Sequence, residues 1–97
     1  MKSVRFELDY EVPMGEAELT YNLAAFAAEG FVAPARIRLE VTHRTDTENH
    51  ALIIEGHDEP FDAVVRVFTS LLTRQFGDGK FKIMTSVNTT QSMTAVA

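Results

Sequence analysis

Three histidines, His43, His50 and His57, are the side chains of this 97-residue chain best suited to holding a metal or moving a proton near neutral pH. Two of them flank the polar stretch Arg44 to Asn49. If those six residues form the turn of a hairpin, His43 faces His50, and Asp46 or Glu48 completes a three-ligand set of the kind zinc takes. His57 stands seven residues beyond His50, about 23 Å along a strand, with the opposite face parity, so the three cannot share one ion. The plainer expectation is that His43 and His50 are polar residues ending two strands beside a turn, with no metal or other cofactor.

Proton transfer needs a carboxylate or histidine held out of water with a displaced pKa. On the side of the sheet that helices would cover, only Tyr10, His43 and His50 qualify. The sequence has no cysteine, which removes thiolate ligands, cysteine nucleophiles and disulfides. It also contains no glycine-rich phosphate loop, no serine-centred nucleophile motif and no paired-acid catalytic motif on a helix. A noncatalytic chain is therefore expected. The alternative is a small dimeric α+β barrel enzyme with a pocket between sheet and helices.

The elements that would position these groups follow from periodicity. Val4, Phe6, Leu8, Tyr10 and Val12 alternate with Arg5, Glu7, Asp9 and Glu11, the pattern of a half-buried strand that stops before Pro13. A helix is expected over Glu16 to Glu29, with Leu19, Leu23, Phe26 and Ala27 as its apolar face and Gly30 as its stop. A second strand reads from the alternation of Ile37, Leu39, Val41 and His43 with Arg36, Arg38, Glu40 and Thr42. Its hairpin partner is HALIIEGH, paired so that residue numbers sum to 93, which sets Leu39 against Ile54 and Arg38 against Glu55. From Phe61 the residues Val64, Val65, Phe68, Leu71, Leu72 and Phe76 mark one side of a second helix, with Asp58 or Glu59 at its cap and Gly77 beyond its end. A last strand spans Lys80 to Val87.

The order βαββαβ with right-handed crossovers predicts a ferredoxin-like α+β sandwich, a four-stranded antiparallel sheet with two helices on one face. Residues 1–87 make this single domain, and 88–97, polar and small, read as a flexible tail. The other sheet face is left open. On it the expected partner-binding residues are Arg5, Glu7, Asp9, Glu11, Arg36, Arg38, Glu40, Ile53, Glu55 and Met84, a mosaic of charges with Ile53 and Met84 at its centre.

Nucleic acid is not expected there, because acidic residues stand where a phosphate backbone would pass and the central strands lack a stacking platform. Glu7, Asp9, Glu11, Glu40 and Glu55 could instead imitate phosphates to a basic groove on a nucleic-acid-processing complex. The formal net charge of −5 fits a small acidic protein, and 45% hydrophobic against 24% charged residues fits a folded, soluble one. No apolar run is long enough for a membrane helix and no signal segment precedes the first strand, so the expected location is cytoplasmic. A protein partner, or a second copy in a homodimer, is expected on the sheet face or an edge strand. This build fits the small inhibitors that phages make.

Overall fold

The computed structural model describes residues 1–87; the expected tail lies outside the described residues. Strand β1, Lys2–Leu8, turns Val4, Phe6 and Leu8 into the core, as its alternation requires. It stops earlier than Val12, because the Asp9 N–H closes on the Lys80 carbonyl and the Val12 N–H turns back to the Asp9 carbonyl, both at under 3 Å. Tyr10 is thereby thrown outward, 77% exposed, while Val12 stays buried.

Helix α1, Met14–Ala28, follows Pro13, but it buries Ala17, Thr20, Tyr21, Ala24 and Ala28. Leu19, Leu23 and Phe26, expected inside, face out. The spacing 17, 21, 24, 28 also fits a helical stripe, and its small side chains let the helix sit close to the layer beneath. Thr20 fastens it to the second long helix by donating to Gln75 Oε1 at 2.8 Å.

The expected second strand is partly a helix. Residues Pro34–Glu40 form α2, with Pro34 in the first turn, where its missing N–H costs nothing, and Arg36 paired to Glu40 one turn on at 3.2 Å. Strand β2 is Val41–Asp46, and β3 is Ala51–Gly56. Only four residues, 47–50, connect them, so paired numbers sum to 97: Val41 faces Gly56, His43 faces Ile54 and Asp46 faces Ala51. The register expected from a six-residue turn is corrected by four positions, and because four is even each strand residue keeps its face. Asp46 shapes the short turn, accepting from the Asn49 N–H and side-chain amide, and His50 closes it at φ 52°.

Helix α3, Asp58–Phe76, buries Phe61, Val64, Phe68 and Leu72 on the expected stripe; its N-cap is His57, without a side-chain cap bond. Gly77, at φ 99°, supplies the left-handed backbone that ends the helix. A 3-10 turn, Asp78–Lys80, then leads to β4, Phe81–Val87.

The sheet is antiparallel throughout, ordered β2-β3-β1-β4, so β1 and β3 are central and β2 and β4 are the edges. Among the described residues the chain is α+β with three α-helices, one more than expected. Val4, Phe6 and Leu8 meet Leu52 and Ile54 and the inner faces of the helices in one core. Burying each large side chain there contributes about 1.5–3 kcal/mol, so α3, with four, is the main anchor of the helical layer.

Candidate interaction surfaces

The open sheet face is built by strand pairing. Arg5 stands opposite Ile53, and Ile53 opposite Arg44; Glu7 stands opposite Ala51, and Ala51 opposite Asp46. Arg5 therefore has β3 between it and Asp46, yet its Nη2 reaches Asp46 Oδ2 at 2.9 Å, while its Nε bonds Glu7 at 3.2 Å. The guanidinium arm lies across β3, and the two residues beneath it are buried: Ala51 fully and Ile53 at 2% exposure. Arg44 pairs with Glu55 at 3.5 Å on the same face. Three cations (Arg5, Arg44, Lys82) meet three anions (Glu7, Asp46, Glu55), and all but Lys82 are paired within the face.

These contacts displace the protonation equilibria. The amide of Asn49 and then the Arg5 guanidinium hold the Asp46 carboxyl down at about 2, and Asp46, followed by Glu7, raises Arg5. A carboxylate whose folded pKa is depressed stabilises the fold fully above its unfolded pKa of about 3.9, and that contribution is lost as pH falls toward its folded value. The stability difference between wild type and Asp46→Asn should accordingly shrink from pH 5 to pH 2 in urea titrations. A difference that stays constant across that window would show that the charge on Asp46 contributes nothing.

The ten residues expected to form one surface fall in three places. Arg5, Glu7, Ile53, Glu55 and Met84 are on the open face, though Ile53 is covered rather than displayed. Asp9 and Glu11 lie past the end of β1, where Asp9 Oδ1 accepts from the Glu11 N–H at 2.8 Å and Glu11 pairs with Lys80. Arg36, Arg38 and Glu40 are on α2, off the sheet, because Pro34 and the Arg36–Glu40 pair favour a helical turn there; Arg36 also approaches Glu59 of α3 at 3.9 Å.

The histidines are separated. The His43 ring lies on Tyr21, centroids 4.1 Å apart, with Nε2 3.4 Å from Glu18 of α1. His50 instead contacts the Val12 carbonyl through Nε2 at 2.7 Å and stacks on Tyr10 at 4.9 Å. Each ties α1 or the chain leading into it to the hairpin, and the shorter turn is what removes them from one another. A cleft of about 670 Å³ lies elsewhere, between the end of α1 and the start of α3. Phe31, Val32 and Val67 line it with Lys2, Asp62 and Arg66. Its size suits a small ligand, but it contains none of Tyr10, His43 and His50.

Sequence reasoning missed the outer face of α1. Leu19, Leu23 and Phe26, at positions i, i+4 and i+7, are 68, 55 and 70% exposed, and Phe31 just beyond the helix is exposed as well. Single exposed apolar side chains are ordinary, but three in register on one helix, whose opposite face already serves the core, form a stripe. The available signal was that alanines occupy the alternative stripe, leaving two apolar faces on one helix.

No protein-family model matches the chain, and neither a curated protein nor a solved structure matches it. Among the described residues no helix is long and apolar enough to cross a membrane.

Proposed function

We propose that this chain is a noncatalytic protein-interaction module, an accessory or inhibitory protein built on a ferredoxin-like βαββαβ frame with α2 inserted before its second strand. The observation that carries this is the exposed stripe Leu19, Leu23 and Phe26. A helix apolar on both sides is ordinarily buried on both sides, and α1 is buried on one. The open sheet face has a weaker claim, since its charged groups answer each other and its central apolar residue lies beneath Arg5. The acidic balance of the chain suits a partner with a basic surface, such as a component of a nucleic-acid-processing complex.

A second mode of docking is favoured by β4. This edge strand exposes Ile83 and Met84 on its two faces, as a strand awaiting another partner would.

A photo-crosslinking residue placed at Phe26 tests the proposal in extract of the native cells. The expected result is a discrete adduct with another protein from position 26 and none from Met84. An adduct from Met84 alone transfers the interface to the edge strand. Absence of adducts at both positions overturns the interaction module.

A further inference from the structure

The outer stripe of α1 borders a groove. The Thr20–Gln75 bond joins the early part of α1 to the end of α3, while Phe31, after α1, shares a cleft with Ala63 near the start of α3. The two helices therefore run antiparallel, side by side. One end of the furrow between them is a hollow of about 290 Å³ walled by Leu19, Leu23 and Gln75; the other is the 670 Å³ cleft, with Phe31 and Val67. Along α1 the distance from Glu16 to Ala28 is about 18 Å, a little over three helical turns, and Phe31 follows just beyond.

The charge around this furrow is acidic in balance. Residues 14–29 contain Glu16, Glu18 and Glu29 and no base, and α3 contains Asp58, Glu59 and Asp62 against Arg66 and Arg74, so the two segments carry six acids and two bases, a balance of −4, with Glu18 turned away toward His43. Glu16 lines one end; at the other, Asp58, Glu59 and Asp62 outnumber Lys2 and Arg66, with Lys2 paired to Asp62 at 3.1 Å. A second copy would bring the same acidic rim on a chain of net charge −5. Like charges at the ends of an apolar contact disfavour self-pairing and favour an opposite partner.

We infer that the α1–α3 furrow receives an amphipathic helix of another protein, with apolar side chains at i, i+3 or i+4, and i+7 flanked by lysine or arginine. This inference rests on the interaction-module proposal and gives it a partner chemistry. Apolar anchors would enter the two hollows, as in other helix-in-groove complexes, and the basic flanks would meet the acidic ends.

The test is a displayed library of 18-residue helical peptides with a fixed leucine stripe and remaining positions randomised among Lys, Glu, Gln and Ala, selected on the purified full chain. Enriched peptides should carry more Lys than Glu. Their affinity should fall at least tenfold on the Leu19→Gln/Leu23→Gln variant, and also on Glu16→Lys/Glu29→Lys. Both pairs are surface changes, and circular dichroism with an unfolding midpoint verifies the fold; Phe26→Gln alone replaces the double variant should that one not fold. Failure to enrich any helix, enrichment of acidic sequences, or affinity indifferent to these variants overturns the inference. So does a homodimer in sedimentation velocity that the leucine variant dissolves, since the occupant is then a second copy. If selection fails while position 26 still yields its adduct, the module stands and only the basic helix is lost.

Discussion

Replacing Phe68 by alanine should lower the unfolding free energy by about 3–5 kcal/mol, because its ring is fully buried and the space it leaves cannot close. Phe68 meets Phe6 edge-on at 4.8 Å and Tyr21 at 6.0 Å, so one side chain joins α3 to the central strand and to α1. Total stabilities of small domains are about 5–15 kcal/mol, so the variant forfeits a large share. For a domain of this size the thermal midpoint should drop by roughly 12 °C or more. Chemical denaturation and calorimetry check this against Leu23→Gln, which should leave the midpoint nearly unchanged. A small effect of Phe68→Ala would mean that the helical layer is anchored elsewhere.

Gly56→Val should cost about 3 kcal/mol, the upper end for forcing extra atoms into a packed site. A Cβ at Gly56 would collide with the Glu40 carbonyl oxygen and press on Val41 Cα at 3.2 Å and Phe61 Cβ at 3.3 Å. Two of these three neighbours are backbone atoms, so no side chain can swing aside. The backbone of Gly56 is not in the left-handed region, which makes the effect one of space rather than strain. Gly56 lies where the end of β3 passes the junction of α2 and β2, and the neighbouring His57 N–H donates to the same Glu40 carbonyl at 3.2 Å. Gly15→Ala is the matched control: nothing lies within 4 Å of its added methyl, and alanine in the first helical turn should be neutral or mildly stabilising. Equal midpoints for the two variants would contradict the close approach at Gly56.

Part of this architecture was legible in the sequence. The stripe of α3 could be read because Phe61, Val64, Phe68 and Leu72 are large, helically spaced and backed by polar residues. The alternation of β1 was equally plain over Val4, Phe6 and Leu8. Elsewhere the pattern had two solutions. In α1 both faces are apolar, and preferring the larger side chains for the core selected the wrong one, since the close approach of the helix needs alanine at 17, 24 and 28. Across Pro34 to Asp46 a seven-residue helix buries only Ile37 before Val41 starts the strand, and that spacing of four satisfies a period of two as well. The Arg36–Glu40 spacing and a proline four positions before Arg38 were the helical signals. A six-residue turn overestimates the loop because the polar residues Arg44, Thr45 and Asp46 belong to β2, and the Asp46 side chain caps the turn from the last position of that strand. For the site, the expected cluster mixes residues that the fold separates, while the two apolar faces of α1 are legible in the sequence but which of them is exposed is not.

The alanines that let α1 sit close also hold it lightly. Each buries little apolar area, and apart from Tyr21 the helix contributes no large side chain that is fully covered. Its free energy of local opening should therefore lie below that of β1 and α3, and its amides should exchange with solvent sooner than theirs. A partner seated on the outer leucines would act on that equilibrium, since it binds only the docked helix and so slows exchange on the side it never touches. The more lightly held of the two long helices would thus report occupancy through its own protection.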